Sequence, residues 1–241
     1  MKHRFGSTLG VAAGSTAWVL VCLVFGWVYV YQIQLLIPLM WWDETTIGQL
    51  VTNAMIYAVA VAVAILPFWY RRGRQAVLHL VALDRRPGWK VVWLPLLLWP
   101  VYMVATTIAT LIAGFIPWID LDQQQDVGFA GISAPLEYVM VFVALVILPP
   151  IAEELLFRGY LFGRLRSRLG FWASTITVSA AFGFVHGQWN VGIDTFILSL
   201  FLCYLRESTG SLWAPIVLHM LKNALAYALL FIAPLLGYQL L

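Results

Sequence analysis

The sequence predicts an all-α fold, a polytopic membrane helix bundle of about seven to eight transmembrane helices. Three observations carry this. Of 241 residues, 62% are hydrophobic and only 10% charged, more apolar surface than one soluble core could hide. The apolar residues gather in runs near the roughly 20 residues needed to cross a hydrocarbon core about 30 Å thick. The basic residues gather between those runs. Residues 1–241 therefore read as a single integral membrane domain in the lipid bilayer.

The runs are, in order, Leu9 to Ile37, Ile47 to Tyr70, Val91 to Ile116, Leu136 to Phe157, Phe171 to Val185, a shorter Asp194 to Leu205, and Leu212 to Tyr238. The first is too long for a secretory leader and lacks a small-residue cleavage site, so it is expected to be a retained span. The last gives one helix, or two if it breaks at Pro234. Cys22 and Cys203 stand isolated in apolar runs, which offers neither a disulfide framework nor a metal-binding CxxC.

Loop charges orient the bundle. Lys2 and Arg4, then Arg71, Arg72, Arg74, Arg85, Arg86 and Lys90, then Arg158, Arg164, Arg166 and Arg168, and then Arg206 fall at alternate ends of the runs. Cytoplasmic loops are the ones enriched in Lys and Arg, so the amino terminus is expected in the cytoplasm and the protein in the cell (inner) membrane. Lys222 is the exception among the 14 basic residues. The opposite ends carry Asp43, Glu44, Asp120, Asp122, Asp126 and Asp194, with Trp41, Trp42, Trp118 and Trp189 as interfacial anchors. A net charge of +3 without a basic, aromatic-interleaved surface gives no reason to expect a nucleic-acid partner.

The fourth run poses the chemical question. Tyr138 to Ala152 carries no charge, and then comes "EELLFRGYLFGRLRSR" from Glu153. A charge within a membrane helix costs about 2.5–3.5 kcal/mol even on the lenient insertion scale, so such residues normally line a polar cavity or functional path. A cytoplasmic-end anchor would need only the basic ones. Glu154 and Arg158 are four apart, on one helix face and close enough to pair, which leaves Glu153 about 100° around the helix and available. Nothing strongly opposes a helix until the turn signal at Leu169-Gly170. A hairpin folded there sets Glu153 and His186 opposite each other, each about 24 Å from the turn.

Two further segments carry the other polar candidates. Phe182 lies four residues before His186 and can wall its imidazole, while His219 and Asn223 share a face of the last run. Each alone is weak, since a helix histidine is commonly a packing residue and a membrane asparagine commonly links helices. Together they suit hydrolysis: a carboxylate beside a histidine can take a proton from water, and a second histidine with an asparagine can donate to the oxyanion of a tetrahedral intermediate. The chain has no HExxH, no GxSG and no GxGD.

At these residues the chain resembles the CAAX prenyl endopeptidase and bacteriocin-processing (CPBP) intramembrane proteases. The EExxxR, FxxxH and HxxxN motifs stand as Glu153-Glu154-Leu155-Leu156-Phe157-Arg158, Phe182-Gly183-Phe184-Val185-His186 and His219-Met220-Leu221-Lys222-Asn223, within a motif-bearing core at about 136–227. The resemblance implies a helical bundle with a cytosol-facing cavity and an endopeptidase acting on a peptide or protein substrate at the membrane. It implies that Glu153 and His186 activate water and that His219 and Asn223 stabilise the oxyanion, with Glu154, Arg158 and Phe182 in support.

Whether a metal takes part stays open. Glu153, His186 and His219 form an acceptable zinc set, but a zinc site needs a further general base, for which Glu154 would have to leave Arg158. The metal-free scheme uses each polar group once, requires no cofactor and is preferred. Two rival classes stand beside it. A b-type haem held by His186 and His219 would leave Glu153, Glu154 and Asn223 without a task. A non-catalytic membrane immunity or binding protein would keep the pocket without turnover.

The charge pattern is directly testable. With Cys22 and Cys203 replaced, single cysteines at Arg164 and Ser167 should react with a membrane-impermeant thiol reagent from the cytoplasmic side only. Labelling from the opposite side would overturn the expected topology.

Overall fold

The computed structural model describes residues 45–84, 88–123, 127, 129 and 131–238. The expected span Leu9 to Ile37 lies outside these residues, as do Lys2, Arg4, Cys22, Trp41, Trp42, Asp43, Glu44, Arg85, Arg86 and Asp126. Every regular element among the described residues is helical. Among these residues there are six helices in chain order: α1 Thr46–Leu80, α2 Lys90–Ala113, α3 Pro135–Arg166, α4 Phe171–Phe184, α5 Trp189–Thr209 and α6 Trp213–Leu235.

Four of them, α1, α2, α3 and α6, are long and apolar enough to cross a membrane. The expectation of seven to eight spans is therefore not met among the described residues. α4 has 14 residues, about 21 Å at 1.5 Å per residue, short of the hydrocarbon core. α5 begins at Trp189, five residues before the expected start, so it takes in Asn190 and Asp194 and carries Arg206 and Glu207 near its other end. The last run does not break at Pro234: a π-helical turn over Ala228–Ile232 absorbs the proline and the helix continues to Leu235, in keeping with the local π adjustments that let membrane helices carry proline.

Several arginines gather at one end of the bundle. The Arg164 guanidinium lies 5.8 Å from the Phe68 ring centroid, Arg166 pairs with Glu207 at 2.8 Å, and Arg206 donates to the Leu80 carbonyl at 3.4 Å. The arginines of α3 and α5 thus meet the carboxyl end of α1 at one end of the bundle. At the other end Thr46 donates to Glu137 at 3.2 Å, and Gln123 holds the start of α5 through the Trp189 amide at 2.7 Å and the Asn190 side chain at 2.6 Å. α1 and α3 accordingly run in the same direction.

Glycines set how closely the helices approach. α1 changes direction at Gly73, whose φ of 78° suits a residue without Cβ. The chain beyond it then turns so that Leu80 and Val81 lie against α3. A Cβ at Gly159 would stand 3.0 Å from Val81 Cβ, and one at Gly163 only 2.9 Å from the Leu80 carbonyl oxygen. Val81 also seals a small apolar cluster with Leu212 and Ile216, bordered by Leu83 and Leu155. α4 and α5 cross at Gly183 and Gly192, where a Cβ on Gly183 would stand 2.7 Å from the Gly192 carbonyl. That crossing fixes the end of α4, three residues before His186.

The α3–α4 hairpin has the expected register. Phe157 and Phe182 are equidistant from the turn at Leu169-Gly170, and their rings meet edge to face with centroids 4.9 Å apart. The close crossing predicts that Gly183→Ala, which must push two backbones apart, costs about 1–3 kcal/mol. Gly88→Ala, where a Cβ meets nothing within 4 Å, should stay within about 0.5 kcal/mol. Thermal unfolding in detergent reads both, and equal midpoints would refute the constraint.

Candidate active site

The site grows from one buried charge pair. Arg158 Nη1 donates to Glu154 Oε1 at 2.9 Å, and both side chains are 0% exposed. Arg158 lies in a π-helical stretch of α3, Leu155–Leu161, that begins directly after Glu154. Stretches of this kind recur at functional sites because they shift the register of the side chains around them. Arg158 Nε and Nη2 have no hydrogen-bond partner among the described residues. The guanidinium instead lies 4.2 Å from the Phe182 ring centroid, a cation–π contact that is strongest when desolvated. Phe182, 0% exposed, thus walls the imidazole as expected and also gives the arginine a platform.

Glu154 has a second partner. His219 Nδ1 is 2.9 Å from the same Oε1, so a carboxylate that the helix spacing assigned to Arg158 alone also holds α6. With Arg158 neutralising Glu154, the ring nitrogen facing it is the donor. The other ring nitrogen, His219 Nε2, faces Glu153 Oε2 at 3.8 Å. Glu153 is partly exposed, its Oε1 accepting a hydrogen bond from Tyr57 of α1 at 3.0 Å. The two carboxylates therefore differ as the spacing predicts: one is locked in the core, and one is open beside a histidine.

His186 follows the end of α4 and gives its Nδ1 to the Phe182 carbonyl at 2.7 Å; Thr195 lies 3.4 Å from the same nitrogen. A carbonyl only accepts, so Nδ1 carries hydrogen and neutral His186 keeps its lone pair on Nε2. Its ring packs against Phe182 at 5.1 Å, as does that of His219 at 5.8 Å. Glu153, Lys222 and His219 all lie within electrostatic reach of His186.

Asn223 donates through Nδ2 to the Leu145 carbonyl at 2.8 Å. The reason lies in α3: Leu145 is followed four and five residues later by Pro149 and Pro150, neither of which has an N–H to give back. The asparagine supplies the missing donor from α6. One amide hydrogen is spent this way, and the second remains on Nδ2.

Sequence reasoning missed Tyr57, Tyr102, Thr106 and Thr195, and it misplaced Asp194. Asp194 is not an outer-loop residue: within α5 it accepts from Tyr102 at 2.5 Å and Thr106 at 2.7 Å. Its other oxygen lies 3.5 Å from Lys222 Nζ. The basic residue that broke the charge pattern thus has an interior carboxylate as partner. Tyr102 and Thr106, four apart on α2, carried a faint signal in that spacing; Tyr57 carried none.

The family model described as Type II CAAX prenyl endopeptidase Rce1-like matches residues 135–225. This segment is similar to the Rce1-like family. It spans α3 to most of α6 and holds all three motifs, whereas Tyr57, Tyr102 and Thr106 lie outside it. An Rce1-like segment implies a protease, hence a hydrolase of peptide or protein substrates at the membrane, and agrees with the several apolar helices. No curated protein and no solved structure matches the chain.

Among the described residues no group of three or more His, Cys, Asp and Glu is arranged to hold a metal ion. Zinc enters no step below.

The shared carboxylate makes a stability prediction. Arg158→Met leaves Glu154 charged and buried with His219 alone, and should cost about 3–5 kcal/mol, whereas Arg158→Met with Glu154→Leu removes both charges and should recover part of that loss. Thermal midpoints of the two variants check this, and a double variant no more stable than Arg158→Met would refute it.

Proposed function

We propose that the protein is an intramembrane endopeptidase that hydrolyses peptide bonds with water activated by Glu153 and His186. The observation that carries this reading is the chain Arg158–Glu154–His219–Glu153, in which a buried carboxylate orients a histidine toward an accessible one. Glu153 Oε2 accepts the proton of the attacking water, and the Nε2 lone pair of His186 is the second acceptor near the same space. Attack turns the scissile carbonyl oxygen into an oxyanion. With Nδ1–H given to Glu154, His219 donates from Nε2 as the imidazolium, which Glu154 stabilises from the far side of the ring. The second N–H of Asn223 is the other candidate donor. Collapse breaks the C–N bond, and the proton held by Glu153 passes to the departing amine, so one water is consumed per bond. Buried Glu154 and Arg158 change no protonation state in this scheme.

Likeness to the CAAX prenyl endopeptidases makes prenylated CAAX peptides the first substrate class to try. The metal-free scheme requires no cofactor. The haem alternative has less support, because the Phe182 ring packs against both imidazoles.

Two measurements test the reading. Membranes carrying the intact chain and the Glu153→Gln variant are compared for peptide products, and the purified protein is offered a fluorogenic prenylated CAAX peptide before and after prolonged chelation. At least one product should vanish in the variant with its thermal midpoint preserved, and the purified enzyme's activity should survive chelation. Identical product sets would sink the endopeptidase reading. Stoichiometric zinc whose removal abolishes activity, with recovery on its return, would move Glu153 to a metal ligand.

A further inference from the structure

The matched segment does not contain every group that touches the accessible carboxylate. Glu153 Oε1 is held by the Tyr57 hydroxyl at 3.0 Å, 96 positions away in sequence, from a helix that ends well before residue 135. We propose that Tyr57 is a positioning residue for Glu153, so that the site is completed by α1. This rests on the reading of Glu153 as the base.

The argument is geometric. A glutamate in a membrane helix has three side-chain torsions and a strong pull toward any basic side chain: His219 Nε2 lies 3.8 Å away, while Arg158 is spent on Glu154. A carboxylate free to swing onto the His219 ring would lose its place for water. The Tyr57 hydroxyl occupies Oε1 and leaves Oε2 facing His219 at 3.8 Å, beyond the 2.7–3.2 Å of a direct hydrogen bond. A water oxygen about 2.8 Å from both atoms fits off the line that joins them. A phenol suits the task because its ring is rigid and its hydroxyl needs a partner when partly buried.

α1 is itself pinned where this requires. Its carboxyl end is pressed on α3 at Gly159 and Gly163, Phe68 lies under Arg164, and Thr46 reaches Glu137 at the opposite end. Tyr57 lies between these anchors. Tyr57 and Phe68 are 11 residues apart, as are their partners Glu153 and Arg164, so the two helices keep step over this stretch.

The test uses the full chain in detergent with Tyr57→Phe, Glu153→Asp and the double variant, followed on the fluorogenic prenylated CAAX peptide or on the product identified in membranes. Tyr57→Phe should lower kcat about tenfold with KM unchanged. Glu153→Asp draws the carboxylate back by one methylene, out of reach of the phenol, so adding Tyr57→Phe to it should cost no further activity. A merely structural role would lower kcat by the same factor in both backgrounds, which overturns the proposal. A second arm needs no activity: thermal midpoints of Tyr57→Phe, Glu153→Ala and the pair should be non-additive, because each variant removes the same hydrogen bond. Additive midpoints overturn the contact even if the protein cleaves peptides. Non-additive midpoints in a chain that cleaves nothing would keep the contact and retire the endopeptidase reading.

Discussion

The buried Glu154–Arg158 pair is the constraint on which the rest of the site depends. An isolated buried charge is very costly, and a buried pair gains little unless its remaining donors and acceptors find partners. Each member of the pair recruits a helix. Arg158 lies against the face of Phe182, which fixes α4, and Glu154 takes His219, which fixes α6. His186 follows because its ring is tied to the carbonyl of that same phenylalanine. Three motifs dispersed over about 70 residues are therefore one packing problem with one solution, and the accessible Glu153 is what that solution leaves over.

Some of this was legible in the sequence, for a physical reason. Helix periodicity relates residues three or four apart, so Glu154–Arg158 and Phe182–His186 could be paired on paper. A hairpin about a clear turn relates residues symmetric about it, which is why Phe157 meets Phe182. Contacts between helices with no such relation were invisible. Tyr57 finds Glu153 and Lys222 finds Asp194 through the packing angles of the bundle, which no local spacing encodes. Among the described residues hydropathy and helix length part company at α4, whose apolar run is too short to cross, and at α5, whose helix takes in Asn190, Arg206 and Glu207 beyond the apolar run.

The glycines of the bundle share one effect. At Gly159, Gly163, Gly183 and Gly192 the backbone of one helix comes close to that of another, the use membrane proteins make of small residues when no hydrophobic effect drives helices together. Two of these glycines lie just beyond the charged pair on α3, and Gly183 lies three residues from His186. The polar groups thus sit where the backbone is least free to move, as a site that must hold geometry within fractions of an ångström requires.

The bond from Asn223 to the Leu145 carbonyl has a consequence for how this architecture can vary. Its acceptor is main chain, exposed because two successive prolines cannot cover it. Side-chain identity at 145 is therefore irrelevant to the bond, and the specificity resides in what positions 149 and 150 lack. A chimera that grafted α6 onto an otherwise similar α3 without the Pro149-Pro150 pair would close that carbonyl into its own helix. The asparagine would then lose its anchor while every residue it faces stayed the same. Half of this interhelical code is written as a missing hydrogen.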